Sequence, residues 1–341
     1  MVKTSIFTYL FILIIINQIK EHLSKNNNLK SYKINHITKE TNNKLSLNKK
    51  NLIIGTIINY NWDKIKVFFG SYRMAKFNNC ECIIFVASIS QRTIKKIESC
   101  GVTVYPIPEK FVNISIVNSR WKIYEDYLND NQGKYNLVFT TDIRDTFFQS
   151  DVFNYYESTK PFLGLAIEDG TLTEKMNKEW IINAFGEDLH KTIANERIIC
   201  LGTIWGTPDK VKDFSKIMWE KLISEWSKRL YVVDQGIGNY LIYHDKMFSD
   251  CLVKSNNTNG FVMTIGLSKR KNIILDKNNN ILNGNGLIGA VIHQYDRYPD
   301  IVNMAIMKYC PELSQLYTII NIIAILLCIV LFKYKRNISE R

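Results

Sequence analysis

The stretch YNLVFTTDIRDTFFQSD, from Tyr135 to Asp151, joins an apolar run to a group of charged side chains. Its first part, YNLVF, is short, apolar and rich in aromatic and β-branched residues, which is typical of a buried strand. Asp142, Arg144 and Asp145 follow where the chain must turn. The tip of this strand is therefore either a turn held by an Asp–Arg pair or a functional site at a sheet edge.

Three similar apolar runs precede this strand, and amphipathic segments with helical spacing separate them. The runs are LIIGTII, CIIFVAS and VTVYPI. Strands that alternate with helices in this way indicate a mostly parallel sheet with crossover helices. Ligands of such sheets bind beyond the carboxyl ends of the strands, so the charged tip falls at the edge where a ligand is expected.

The second half of the chain is less regular. FLGLAIED and IICLGTIWGT are predicted as strands, residues 173–194 as helical cover, and residues 208–228 as a long amphipathic helix that begins at a proline. We interpret residues 51–312 as one continuous α/β domain with an elaborated second half.

The composition excludes a disordered protein. Of the 341 residues, 46% are hydrophobic and 12% aromatic, which is enough for a full core. The net charge of +12 is spread along the chain without a dense basic block, so a basic solvated surface is favoured over nucleic-acid binding.

Both ends of the chain are apolar. The segment within residues 1–23 fits a secretory signal peptide or a short signal anchor, and residues 24–50 are a polar stem or linker. Residues 313–332 have the length of a transmembrane helix. Residues 333–341 form a basic tail, and because basic segments beside a membrane span tend to stay in the cytosol, we expect this tail there. We therefore expect a membrane protein of the secretory pathway, in the Golgi, the endoplasmic reticulum or at the cell surface, whose body is luminal.

Cysteines and glycosylation sequons agree with a luminal body. The body holds six cysteines, an even number that could form disulfides of unknown pairing. Sequons begin at Asn113 and Asn256 and could carry glycans.

Three segments carry polar residues that suit chemistry. Asp142 and Asp145 at the strand tip are oxygen ligands of the kind that Mg²⁺ and Mn²⁺ prefer. His293, in IHQYDRYP, follows another apolar run and could complete a metal site, or it could be a structural histidine. Arg297 could pair with phosphate. Asp234, in VVDQGIGNYLIYH, fits either a helix N-cap or a catalytic carboxylate.

The order of these segments, with ICLGTIWGT between the tip and DQGIGN, resembles the GT-A glycosyltransferase superfamily over Asn51 to Asp300. The resemblance implies a single GT-A-like, Rossmann-like domain that uses a nucleotide-sugar donor. The superfamily's acidic motif is usually D-x-D. Here Asp145 takes the second position, Ile143 the first, and Asp142 lies one residue earlier.

The resemblance also assigns expected roles to individual residues. It implies Asp142, Asp145 and His293 as metal ligands, and Asp234 and Gln235 as the polar groups nearest the reacting carbon. Residues expected to bind the donor are Thr56, Asn59, Arg144, Gly202, Thr203 and Arg297.

The sequence therefore predicts a glycosyltransferase that transfers a hexose or pentose from a nucleotide-sugar to a glycan or glycoprotein acceptor, with Mn²⁺ or Mg²⁺. The alternative is a non-catalytic luminal or cell-surface binding protein that keeps the fold, which the missing D-x-D favours. A hydrolase with paired acids is the third interpretation, but carboxylates three residues apart suit a shared ion better than the two sides of a glycosidic bond.

Overall fold

The computed structural model describes residues 49–112, 114–156, 160–226 and 233–310. The predicted signal segment, almost all of the predicted stem, the predicted transmembrane helix and the basic tail lie outside these ranges. Within them, no helix is long and apolar enough to cross a membrane.

The described chain alternates strands and helices. The strands are β1 Lys50–Ile58, β2 Cys80–Ala87, β3 Thr103–Pro106, β4 Tyr135–Thr141, β5 Thr146–Phe148, β6 Leu163–Thr171, β7 Arg197–Gly206, β8 Leu252–Asn256, β9 Val262–Thr264, β10 Ile274–Leu275, β11 Ile281–Leu282 and β12 Val291–His293. The helices are α1 Trp62–Ala75, α2 Gln91–Glu98, α3 Glu109–Val112, α4 Ile116–Asp130, α5 Lys175–Phe185, α6 Glu187–Ile193, α7 Pro208–Trp226, α8 Asp234–Tyr243 and α9 Pro299–Tyr309.

A seven-stranded sheet with the order β3-β2-β1-β4-β7-β6-β8 forms the centre. The four strands predicted from the apolar runs are β1 to β4, and they are parallel. The central residues of β1, β2 and β4 are almost completely buried between apolar clusters on the two faces of the sheet, whereas β3 at the sheet edge is mostly exposed. The expected mixed α/β architecture with a mostly parallel sheet is thus confirmed.

The second half of the sheet departs from the parallel pattern. Strand β7 runs antiparallel to both of its neighbours, β4 and β6. A separate three-stranded sheet with the order β5-β12-β9 lies at the end of β4, because β5 follows the charged tip directly. Its central strand, β12, ends at His293.

Two further features bear on the site. Helix α4 packs on α7 and buries Trp121 and Tyr124, and its buried inner face also carries Arg120. Five cysteines are free thiols, so no disulfide joins them in the described part of the chain: Cys80, Cys82, Cys100, Cys200 and Cys251.

Candidate metal and donor site

The charged tip of β4 is fixed by its pairing with β7. Thr141 lies opposite Thr203, and the backbone N–H of Asp142 donates to the carbonyl of Gly202 at 2.7 Å. Ile143 points into the core and is only 2% exposed, where its side chain lies against Gly55. The two carboxylates on either side of Ile143 are therefore the ones that face the site.

The small sheet brings His293 to these carboxylates. Strand β12 pairs with β5 so that His293 lies opposite Thr146, and the N–H of Gln294 donates to the carbonyl of Asp145 at 2.7 Å. His293 Nε2 lies 3.6 Å from Asp145 Oδ1 and 3.7 Å from Asp142 Oδ2. One potential ligand atom from each of the three residues lies within 4.8 Å of the others.

The hydrogen bonding of His293 suits a metal ligand. Its side chain is 1% exposed, and Nε2 is buried without a hydrogen-bond partner. The other ring nitrogen, Nδ1, lies 3.4 Å from Cys200 Sγ and 3.5 Å from Thr264 Oγ1. A ligand nitrogen is commonly left facing the metal while the second ring nitrogen contacts a neighbour. The two carboxylates and the imidazole therefore fit a divalent cation such as Mn²⁺ or Mg²⁺.

The electrostatics of this cluster couple its members. Burial would raise the pKa of Asp145, but His293 and Arg144 outweigh it and hold that pKa below its usual value. Burial would lower the pKa of His293, but Cys200, Asp145 and Asp142 raise it well above its usual value. The two pKa shifts have opposite directions because negative carboxylates and positive groups stabilise each other in this cluster.

Arg120 is a second organising group, and the sequence interpretation missed it. Its guanidinium donates to Asp142 Oδ1, to Asp234 Oδ2 at 2.6 Å and to the carbonyl of Leu201 at 3.2 Å. Burial would lower its pKa, but Asp234 and Asp142 raise it, so this side chain is a permanent buried cation. Arg120 therefore fixes one predicted metal ligand and one predicted catalytic carboxylate relative to each other.

Arg144 and Arg297 lie in different surroundings. Arg144 Nη2 contacts Asp145 Oδ2 at 3.0 Å and Asp296 Oδ2 at 3.3 Å, so it lies beside the metal-ligand candidates. The side chain of Arg297 is 48% exposed and pairs with Asp296 at 3.4 Å. Of the two arginines expected to bind the donor, the structure brings only Arg144 against the carboxylate cluster.

An open cleft of about 190 Å³ borders this cluster. Its lining joins the end of β1, the start of α4 and the tip of β4: Thr56, Ile58, Tyr60, Ile116, Val117, Arg120, Asp142, Ile143, Arg144 and Asp145. Thr56 is thus a cleft residue, as a donor-binding residue must be. Asn59 lies just past β1 with an exposed side chain and a φ of 58°, and it does not line the cleft.

Gly202 is the point of closest approach between β7 and the cluster. A Cβ at this position would collide with the His293 ring and would lie 2.8 Å from Asp142 Oδ2. The next residue, Thr203, is fully buried, and its Oγ1 has no hydrogen-bond partner. Only a glycine lets His293 and Asp142 approach each other here.

Asp234 does not cap helix α8, contrary to the simpler sequence interpretation. The N-cap residue is Val233, and the Asp234 carboxylate instead accepts from Arg120 and from Trp121 Nε1 at 3.2 Å. Burial raises the pKa of Asp234, and Arg120 counteracts this only in part. Its side chain is 5% exposed, so Asp234 acts on the cluster through Arg120.

Gln235 lies beside the carboxyl group of Glu168, a residue that the sequence interpretation also missed. Gln235 Nε2 donates to Asn177 Oδ1 at 2.9 Å, and against the larger, raising effect of burial its side chain lowers the pKa of the Glu168 carboxyl group. Glu168 is 2% exposed, and its Oε1 has no partner. Burial raises the pKa of Glu168, although Cys200 and His293 lower it. A buried carboxyl oxygen without a partner is the kind of group that a ligand hydroxyl satisfies.

No protein-family model and no curated protein sequence matches this chain. Among solved structures, the chain is similar to an active-site mutant of LgtC, at 15% identity and a TM-score of 0.46. It is also similar to galactosyltransferase LgtC in complex with donor and acceptor sugar analogues, at 17% identity and a TM-score of 0.45. Each comparison covers 71% of this chain and 86% of the LgtC chain.

Proposed function

We propose that this protein is a glycosyltransferase that moves a hexose or pentose from a nucleotide-sugar to a glycan or glycoprotein acceptor, with Mn²⁺ or Mg²⁺. One observation carries the proposal: Asp142, Asp145 and the unpartnered Nε2 of His293 converge beside a cleft that the two aspartates line. Arg120 and Arg144 each contact one of the two carboxylates, but the Nε2 of His293 beside them has no hydrogen-bond partner, so this arrangement suits a divalent ion shared by the carboxylates and the imidazole.

The cleft suits a nucleotide diphosphate beside that ion. Its wall combines the Tyr60 ring and the apolar side chains of Ile58 and Ile116 with the cation of Arg144 at one end. A bound divalent cation would stabilise the negative charge that develops on a departing diphosphate. Arg144 lies where it can add to that stabilisation, since it already contacts Asp145.

The remaining polar groups suit sugar binding. Arg120 holds Asp142 and Asp234 in fixed positions, which keeps the cluster ready before the donor arrives. Glu168 and Gln235 lie beside each other near His293, and the buried Oε1 of Glu168 has no hydrogen-bond partner that would compete with a sugar hydroxyl. We assign them to orientation of the transferred sugar or the acceptor.

The decisive experiment measures donor hydrolysis and sugar transfer by the full-length chain in detergent, with a panel of nucleotide-sugars and with or without Mn²⁺. We expect Mn²⁺-dependent turnover of at least one donor, and its loss in Asp145→Asn. The matched control is Asp300→Asn, because Asp300 is exposed and its carboxylate pairs with Arg270, which does not belong to the cluster. No turnover of any donor and no Mn²⁺-dependent nucleotide binding would instead support a non-catalytic binding protein.

We also propose a luminal body anchored by residues 313–332, with the basic tail in the cytosol. The support is the apolar composition of that segment and the Lys and Arg residues that follow it. Protease protection in sealed microsomes tests it: a tag at the C-terminus should be digested while the body stays protected. Digestion of the body would contradict the proposed orientation.

A further inference from the structure

A second cavity, of about 420 Å³, lies outside the carboxylate cluster. Residues of β6, β7, β9 and the loops after β8 and β9 line it: Asp169, Arg197, Asn257, Thr258, Met263, Ile265, Leu267, Ser268, Lys269, Asn272, Ile273, Leu282 and Gly284. Its volume is within the range of small-molecule sites. None of these residues belongs to the cleft beside Asp142.

The cavity and the carboxylate cluster lie on the two faces of strand β9. Successive side chains of a strand point to opposite faces. Thr264 contacts His293 Nδ1 at 3.5 Å, whereas its neighbours Met263 and Ile265 line the cavity. The end of β6 also borders both places, because Glu168 contacts Gln235 and the next residue, Asp169, lines the cavity. The two places are therefore neighbours across residues 168–169 of β6 and residues 263–265 at the end of β9.

The polar part of the wall is held in place and nearly neutral. Asp169 accepts from Ser268 Oγ and pairs with Arg197 at 3.4 Å. The Arg197 guanidinium also donates to the carbonyl of Glu168, at 3.1 Å from Nε and 2.6 Å from Nη2. The Arg197 guanidinium is thus already occupied by protein acceptors, and Lys269 adds one exposed ammonium group at the rim, where water screens it. The wall as a whole therefore disfavours a phosphate as the occupant.

One wall residue keeps an unused acceptor. Asn257 Nδ2 donates to the carbonyl of Thr264 at 2.8 Å and to Ser268 Oγ at 3.3 Å. These two bonds fix the orientation of the amide, and its Oδ1 is buried without a partner. A buried carbonyl oxygen without a donor is costly unless a ligand or water satisfies it.

The floor of the cavity is apolar. Met263, Ile265, Ile273 and Leu282 form it, and the side chain of Leu267 is 40% exposed at the rim. A sugar ring presents apolar C–H faces together with hydroxyls that both donate and accept. Fixed donors and acceptors around an apolar floor, with little net charge, match that chemistry better than a charged ligand.

We propose that this cavity is an acceptor subsite that binds a neutral sugar unit of the acceptor glycan, away from the unit that receives the transferred sugar. The inference rests on the proposed glycosyltransferase function and extends it by placing part of the acceptor. Asn257, Ser268 and Asn272 supply hydrogen bonds, and Met263 and Ile265 contact the ring.

Methyl NMR of the full-length chain in detergent tests the subsite directly. Lactose, cellobiose and mannobiose are titrated into protein with labelled Met and Ile methyl groups. We expect at least one disaccharide to shift the Met263, Ile265 and Ile273 methyls, and to leave the exposed Met74 and Met307 unchanged. Shifts with inorganic phosphate and none with any disaccharide would overturn the proposed ligand class.

Rim variants separate binding in the cavity from non-specific effects. Asn272→Ala and Lys269→Ala remove exposed rim groups, so folding should be unaffected, and each should weaken disaccharide binding about two- to tenfold, as the loss of one hydrogen bond does. Lys271→Ala is the matched control, since Lys271 is exposed in the same short turn but does not line the cavity. Equal weakening by Lys271→Ala would contradict the assignment.

Mn²⁺-dependent nucleotide binding, measured on the same samples, distinguishes the two proposals. Intact nucleotide binding with no disaccharide response would refute the subsite alone. Disaccharide binding in the cavity without nucleotide binding would refute the transferase and leave a sugar-binding protein.

Discussion

Two oxygen-rich loops of this molecule differ in the group that their oxygen atoms face. The tip of β4 directs the carboxylates of Asp142 and Asp145 at a buried histidine nitrogen that has no hydrogen-bond partner. The loop between β10 and β11, from Asp276 to Asn280, directs its oxygens at an ammonium group of the chain itself. There Lys308 Nζ contacts Asn280 Oδ1 at 2.6 Å and the carbonyls of Asn279 and Asn278 at 3.2 and 3.4 Å.

The Asp276 loop is complete without an external ion. Asp276 Oδ1 accepts from the N–H groups of Asn278 and Asn280, both at 2.8 Å, and its Oδ2 accepts from Asn280 Nδ2 at 2.8 Å. Every one of these oxygens has a partner within the chain. The β4 tip has two nearby guanidinium groups as well, yet His293 Nε2 stays unsatisfied. An acidic turn in the sequence is thus a candidate ion site only where the fold also leaves a nearby ligand atom, here His293 Nε2, without a hydrogen-bond partner.

The largest effect should come from Arg120, which joins the β4 tip to helix α8. Arg120→Met keeps the side chain's length but leaves Asp142 and Asp234 without their shared cation. We expect the free energy of unfolding to fall by about 3–5 kcal/mol, the usual cost of breaking a buried ion pair from one side. Urea denaturation measures it, with Arg92→Met on the exposed face of α2 as the control. A loss no larger than that of Arg92→Met would show that Arg120 does not organise the site.

Next in size is the loss of a metal ligand, which tests the comparison directly. Asp145→Asn keeps the shape of the side chain and removes its charge, so Mn²⁺ affinity should fall by at least about 100-fold, since even changes beside a ligand cost 10- to 100-fold. Asp276→Asn makes the same chemical change in the self-sufficient loop and should leave Mn²⁺ affinity unchanged. Titration followed by the Mn²⁺ EPR signal measures both. Equal effects would mean that the ion binds elsewhere.

The parallel half of the fold could be predicted because three of its four strands, β1, β2 and β4, are buried on both faces and appear as continuous apolar runs. The edge strand β3 is mostly exposed, and its β-branched residues and its place in the alternation with helices made it visible. The direction of β7 could not be predicted, since IICLGTIWG has the same apolar character in either orientation.

The residues of the candidate site could be predicted where they stand at the end of a strand. They could not be predicted where they lie within a helix or a strand. Asp142, Asp145 and His293 each follow an apolar run, and the structure brings them together. Arg120 looks like an ordinary helix residue, although its spacing of four from Tyr124 puts a charge on a buried face, a signal that could have identified it. Glu168 lies within β6 but comes directly after the apolar run LGLAI, so attention to every acid that follows an apolar run would have found it.

Gly202 gives a smaller effect on the same cluster. In Gly202→Ala the new methyl group collides with the His293 ring, so the imidazole must move away from Asp142. We expect Mn²⁺ affinity to fall about 10- to 100-fold, as it does when a ligand loses its orientation. Isothermal titration calorimetry measures it. Gly101→Ala is a control for the substitution itself, because a Cβ at Gly101 meets no atom within 4 Å; its φ of +79° should cost stability but not Mn²⁺ affinity.

The smallest effect should come from the loop that carries its own cation. Lys308→Met removes three hydrogen bonds that the ammonium group donates to the Asp276 loop. Because the ammonium group is only half-buried, we expect the free energy of unfolding to fall by about 1–2 kcal/mol. Lys277→Met changes an exposed lysine of the same loop and should cost much less. Mn²⁺ affinity should stay at the wild-type value in both variants, because the β4 tip is untouched. Stronger Mn²⁺ binding in Lys308→Met would show that the Asp276 loop can also bind Mn²⁺ once the Lys308 ammonium group is removed.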